Sequence, residues 1–234
     1  MKMIQLNDFH TRIFLNEAEE SRVPFVLVNT GHDEDEALFE TLRKLCDKGF
    51  VLICIETDDW NDDLSPWHCD PVFKGTEPFS GKADLHLARI LDDILPKAEE
   101  RLNEEGISPS YHAIAGYSLA GLFALYSGYK TDVFEKIVSA SGSLWYPDFL
   151  EFTRTRQISQ NITDIYLSLG DQESHTKNKL MSTVQDRTET IAKELGEKTK
   201  VFFEMNEGNH FREPDLRLAK GIAYILNNRS ASCR

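Results

Sequence analysis

Cysteine is scarce in this chain and unpatterned. Only Cys46, Cys54, Cys69 and Cys233 occur in 234 residues, none of them at CxxC spacing. Two lie in apolar runs, so the pattern excludes a disulfide frame or thiolate metal site and points to buried free thiols. Basic residues are also short, with 26 Lys and Arg against 39 Asp and Glu and a formal net charge of −13. A field of that sign repels phosphate backbones and anionic membranes, so neither nucleic acid nor a membrane is an expected partner. An anionic substrate would need local Lys or Arg to overrule it. Long hydrophobic runs are missing too: "FVLICIE" (50 to 56) and "HAIAGYSLAGLFALYSGY" (112 to 129) are too short or too punctuated to span a bilayer. The N-terminal "MKMIQLNDFHTRIF" lacks the apolar core of a signal peptide, which leads to the expectation of a soluble, cytoplasmic protein. No internal repeat or low-complexity tract appears.

What is present is a globular composition, 41% hydrophobic and 10% aromatic, enough for one core and one domain over residues 1–234. Short apolar runs alternate with amphipathic stretches. The pattern predicts strands at 11–15, 24–29, 50–56, 111–116, 136–141, 164–170 and 200–206. Helices are predicted at 34–48, 83–104, 119–129, 148–155, 176–196 and 214–228. Such alternation implies an α/β fold with a mostly parallel central sheet and helices on both faces. One connection, 57–82, has no periodicity yet holds Trp60, Trp67 and Phe73. Its aromatic content argues for an ordered pocket wall.

The stretch "YHAIAGYSLAGLFALY" (111 to 126) sets Ser118 between a strand and a helix, with Gly116 two positions before it and Ala120 two after. A serine on such a strand-to-helix elbow is held in a strained conformation with its hydroxyl exposed, and the close approach of strand and helix requires small neighbours. The helix aims its amide donors at the serine, so the N–H of Leu119 is the first candidate oxyanion donor. The similar "GISPS" (106 to 110) fails as an elbow, because Pro109 has no N–H to offer and the segment is expected in a loop. An elbow serine needs an acid and then a histidine on loops after later strands. "SLGDQE" supplies Asp171 or Glu173, and "NEGNHF" supplies His210. The second oxyanion donor is expected in "TGHDEDE" (30 to 36), from Gly31 or His32.

Together "GYSLAG", "DWNDDLSPW" followed by "FKGTEPFSG", "SASGSLWY", "SLGDQE" and "GNHF" resemble the "putative esterase" branch of the α/β-hydrolases, which includes esterase D, feruloyl esterases and trilactone siderophore esterases. The resemblance runs from residue 24 to 228. It implies an α/β-hydrolase fold without a cap domain, hydrolysis of a small-molecule ester through an acyl-enzyme, and no metal or cofactor. It also implies Glu173 over Asp171, because the family's acid sits three residues after the strand-closing glycine. Trp60, Trp67, Phe73, Trp145 and Tyr146 become candidates for an aromatic pocket, with Trp145 foremost. A siderophore trilactone would need a positive rim, for which Lys74, Lys82, Lys177 and Lys179 are the candidates. A catalytically silent binding protein on the same fold is the competing class, and a homodimer is left open.

Overall fold

The computed structural model describes residues 2–6, 10–16, 20–57, 59–72 and 74–228. Its frame is an eight-stranded sheet formed by β1 (Lys2–Leu6), β2 (Thr11–Asn16), β3 (Arg22–Thr30), β4 (Phe50–Glu56), β5 (Ser108–Tyr117), β6 (Lys136–Ala140), β7 (Asp164–Gly170) and β8 (Lys200–Asn206). The spatial order is β1-β2-β4-β3-β5-β6-β7-β8, with the β1–β2 and β2–β4 pairs antiparallel and every pair from β4–β3 onward parallel. This is the doubly wound architecture the alternation implies.

The helices are α1 (Asp35–Leu45), α2 (Trp60–Asp63), α3 (Ala83–Arg89), α4 (Leu95–Asn103), α5 (Leu119–Ser127), α6 (Phe149–Thr155), α7 (Val184–Gly196) and α8 (Pro214–Asn227). Central strands are near-continuous runs of Val, Ile and Leu because both faces are covered. Along β5 the alternation is visible: Ile114 faces the core shared with α3, α4, α5 and α7, while Ala113 and Ala115 face that shared with α1 and α8. The chain winds outward from β3 to β4, then returns to place β5 on the other side of β3. In open parallel sheets this switch point is where ligands bind, at the C-terminal strand ends. Here those ends carry Gly31 and Ser118.

Several expected elements differ. Strand β1 is an added edge, paired to β2, where no strand was expected. The predicted helix 83–104 is continuous but widens into a π turn at Ile90–Ile94, just before Pro96, whose ring and missing N–H disfavour regular i to i−4 bonding. The predicted helix 176–196 starts late. The Asn178 side chain accepts from the Leu180 and Met181 amides at 3.0 and 3.2 Å, a local turn that competes with helix. Ser108 and Pro109, expected in a loop, open β5, with the Ser108 amide donating to the Ser21 carbonyl at 2.9 Å. The 57–82 connection is ordered as expected where it is described. Cys69 and Phe79 exchange backbone bonds at 3.0 and 2.9 Å, and Asp62 accepts from the Ser80 amide at 2.9 Å and pairs with Lys82 at 2.7 Å. Cys46, Cys54 and Cys69 are buried free thiols, whereas Cys233 and Phe73 lie outside the described residues. Among the described residues no helix is long and apolar enough to cross a membrane.

Candidate active site

Strand β5 ends at Tyr117 and α5 begins at Leu119, leaving Ser118 alone at the bend with φ 58° and ψ −122°. A non-glycine residue at positive φ costs about 1–3 kcal/mol and persists only where its surroundings hold it there. Those restraints are present. The Ser118 amide donates to the Ala140 carbonyl at 3.1 Å, and its own carbonyl accepts from Gly121 and Leu122 at 3.1 Å each and from Ser143 at 2.9 Å. The small-residue requirement is equally direct, because a Cβ on Gly116 would stand 2.2 Å from the Ala120 carbonyl oxygen. The hydroxyl is thereby presented above the sheet edge at the start of a helix, where amide dipoles favour negative charge.

His210, in the loop between β8 and α8, brings Nε2 within 3.0 Å of Ser118 Oγ. Its Nδ1 lies 2.7 Å from Glu173 Oε2. Tyr117 fixes the loop from below, donating its hydroxyl to the His210 carbonyl at 2.6 Å and setting its ring 5.3 Å from the imidazole. Glu173 is buried. Its second oxygen, Oε1, accepts from the Gly170 amide at 2.7 Å, the Ser141 hydroxyl at 2.7 Å and Arg217 Nη1 at 3.0 Å. Burial pushes its carboxyl up, but the bond and charge of His210, then Ser141 and the Gly170 amide, outweigh that and hold it below the ordinary glutamate value. An ionised, fully hydrogen-bonded carboxylate of this kind selects the tautomer in which Nδ1 carries the proton and Nε2 is free to take one from the serine.

Asp171, the alternative acid, points elsewhere. It is exposed, and its Oδ1 accepts from the Gly208 amide at 2.8 Å, tying the acid loop to the histidine loop.

Two cavities flank Ser118 and His210. One of 330 Å³ reaches over the end of β3 toward α8 and is lined by Gly31, Glu34, Trp60, Tyr117, Phe211 and Asp215 among others. The other, 360 Å³, runs toward the 57–82 connection and is lined by Trp60, Phe79, Leu119, Gly142, Ser143 and Trp145 among others. Trp60 and Trp145 thus stand beside the serine. Trp67 lines neither cavity. Its ring packs on Tyr126, Tyr146, Phe149 and Phe152, its Nε1 donates to the Pro147 carbonyl at 3.1 Å, and Tyr146 in turn bonds its carbonyl at 2.6 Å. Both aromatic side chains, Trp67 and Tyr146, belong to the core under the site.

Of the candidate oxyanion donors, Leu119 opens α5 and lines the larger cavity, and Gly31 lines the smaller. The Gly31 amide, however, donates to Glu34 Oε2 at 2.9 Å. His32 turns outward, 77% exposed, bonded to Glu56 at 2.7 Å and Asp33 at 3.1 Å, and lines neither cavity.

With this geometry in place, comparison with known proteins is informative. A family model described as "Putative esterase" matches residues 8–214. The chain belongs to this esterase family. It is 27% identical over 184 residues to "Uncharacterized protein YbbA" of Bacillus subtilis (strain 168), spanning 75% of this chain and 72% of that protein. Among solved structures it is similar to an IroE-like serine hydrolase from Shewanella oneidensis, with TM-score 0.76, 18% identity, and coverage of 92% of this chain and 75% of that one. It is also similar to the siderophore hydrolase EstA from Aspergillus nidulans, with TM-score 0.70, 21% identity, and coverage of 97% and 93%. The α/β-hydrolase fold follows from these likenesses and the esterase class from the family match.

Three residues of this esterase's site escaped the sequence reading. Arg217, buried in α8, bonds Glu173, the Ser141 hydroxyl at 3.3 Å and the Glu207 carbonyl at 2.9 Å. Ser141, at φ 46°, braces the acid from the turn after β6. Phe211, 86% exposed directly after the histidine, lines both cavities. Arg217 and Phe211 carry sequence signals, an arginine on an otherwise apolar helix face and an aromatic beside the histidine. Neither signal names a partner.

Proposed function

We propose that the chain is a carboxylesterase in which Ser118 is the nucleophile, His210 the general base and acid, and Glu173 the residue that orients and stabilises the imidazolium. The observation that carries the reading is the continuous relay of 3.0 Å from Ser118 Oγ to His210 Nε2 and 2.7 Å from His210 Nδ1 to Glu173. Ser118 Oγ forms a bond to the ester carbonyl carbon as its proton passes to His210 Nε2, and the C–O bond to the alcohol breaks as that proton is returned to the leaving alkoxide. Water, deprotonated by the same nitrogen, then cleaves the acyl-enzyme to give the acid and regenerate the hydroxyl. The developing oxyanion is bound by the Leu119 amide and by the Gly31 amide once Glu34 has released it.

Capture by a fluorophosphonate probe tests the reading. One equivalent bound at Ser118 by peptide mass mapping, lost in Ser118→Ala and sharply slowed in His210→Ala, supports it. An unlabelled protein would instead be a silent binding module. A siderophore trilactone as substrate is favoured by relatives such as the siderophore hydrolase EstA. Against it, none of Lys74, Lys82, Lys177 and Lys179 lines the cavities beside Ser118, and Lys82 is already paired to Asp62. Measuring trilactone cleavage beside short aryl esters separates the two substrates.

A further inference from the structure

The lining of the catalytic cavity has a charge pattern of its own. Among the described residues no lysine or arginine lines either cavity that touches Ser118, whereas the smaller one contains two carboxylates, Glu34 and Asp215. Neither makes an ion pair with a described residue. The cations around them are committed elsewhere: Arg12 to Asp33, Asp35 and Glu36, which flank Glu34, Arg212 to Glu207 and Glu213, and Arg217 to Glu173. Glu34 is held over the cavity by its bond from the Gly31 amide at 2.9 Å. Asp215 is half-buried at the start of α8, and desolvation raises its pKa from the ordinary aspartate value. The same cavity is lined by the aromatic residues Trp60 and Phe211 and by the apolar Leu38 and Leu218. Carboxylates without a cationic partner among the described residues, lining one cavity with the half-buried Trp60 and the exposed Phe211, form a surface complementary to a cation with apolar substituents.

We infer that this esterase selects esters carrying an ammonium group, which the Glu34 and Asp215 side of the cavity receives beside Trp60 and Phe211. The inference rests on the proposed serine esterase reading and names its substrate class. It also gives Glu34 a second consequence. A substrate cation draws this carboxylate off the Gly31 amide, so the cationic ester itself frees a donor for its oxyanion. Glu34 is exposed, so solvent and salt weaken its field, and the selectivity expected is about 10-fold in kcat/KM rather than several orders of magnitude.

The test uses matched ester pairs of equal shape. One pair places the charge in the alcohol, acetylcholine against 3,3-dimethylbutyl acetate. The other places it in the acyl group, the p-nitrophenyl ester of 4-(trimethylammonio)butyrate against that of 5,5-dimethylhexanoate, with the hemisuccinate ester as the anionic member. The ratio of kcat/KM is read within each protein, so a general loss of rate cancels. Support is a cationic preference of about 10-fold in at least one pair, falling toward unity in about 0.5 M salt as the Debye length contracts. It must also fall below about 3-fold in the Glu34→Gln, Asp215→Asn double variant, where the carboxamide oxygen introduced at position 34 can still accept from the Gly31 amide. A ratio near one in both pairs, a preference that survives the double variant, or faster cleavage of the anionic ester overturns the inference. Hydrolysis of the neutral esters with no charge preference refutes it alone. If the protein cleaves no ester in the set and Ser118 captures no fluorophosphonate, the esterase reading fails and the inference falls with it.

Discussion

Replacing Gly116 by alanine tests the steric logic that presents Ser118. The new Cβ would lie 2.2 Å from the Ala120 oxygen, 2.3 Å from its carbonyl carbon and 2.7 Å from the Gly121 nitrogen. All three are backbone atoms in the first turn of α5, so no side-chain rotation relieves the overlap. An ordinary C···O contact is about 3.3 Å, so strand and helix must part by about 1 Å. Overpacking of this kind costs about 1–3 kcal/mol. In a domain of this size each kcal/mol moves the melting midpoint by about 2–4 °C, so Tm should fall by about 2–12 °C. The separation also carries Ser118 away from His210, and a misplacement of about 1 Å costs about 100-fold in rate. Gly196→Ala is the control: it is the same chemical change at the last residue of α7, where no atom lies within 4 Å of the added Cβ. That variant should gain about 0.4–1 kcal/mol by restricting the unfolded chain, with no loss of activity. Thermal unfolding by circular dichroism and hydrolysis of a short-chain aryl ester read both effects. Wild-type melting and wild-type kcat/KM in Gly116→Ala would refute the claim that strand and helix are in contact at this bend.

Glu173→Gln should lower kcat by about 10⁴-fold, because a neutral amide does not stabilise the imidazolium or select its tautomer. Glu173 is held below the ordinary carboxylate range, so its share of stability is present above about pH 4.3 and is lost as pH falls through its lower native value. Urea midpoints measured against pH should therefore show a shallower acid slope in the variant. His86 has the opposite charge logic: burial first, then the Arg89 charge, lowers its pKa to about 4. The unfolded chain takes up a proton that the folded one refuses, so stability declines as pH drops from about 6.5 toward 4, by roughly 3 kcal/mol for this group. In His86→Gln, whose amide can still donate to Asn29, that part of the pH dependence should vanish from denaturant titrations. Asp171→Asn should be mild, since the amide oxygen still accepts from Gly208. Asp171→Ala, which strips that acceptor, should cost about 1 kcal/mol in an unfolding titration.

Much of the architecture was legible because its causes are local. The apolar runs of β3 through β8, the periodicity of α1 and α8 and the continuous apolar stretch of α5 are written in windows of five to fifteen residues, and sterics confine a serine elbow to small neighbours such as Gly116 and Ala120. Where expectation and structure diverge, the cause is either a contact from outside the window or a side chain that competes with the backbone inside it. Edge strand β1 exists through its partner β2, and the late start of α7 follows from the Asn178 side chain capturing two amides and donating to Val72 in the 57–82 connection.

The chain by itself determined the order of its strands and helices and the bend on which Ser118 sits, because backbone preference and side-chain size act between near neighbours. Tertiary structure alone decided which carboxylate meets His210, since Asp171 and Glu173 follow the same strand and differ only in where the turn aims them. It also decided that Arg217 and Ser141 brace that acid, and that Trp67 is core while Trp60 and Trp145 line the cavities. Such pairings depend on distances between segments as many as a hundred residues apart, and no local spacing encodes them.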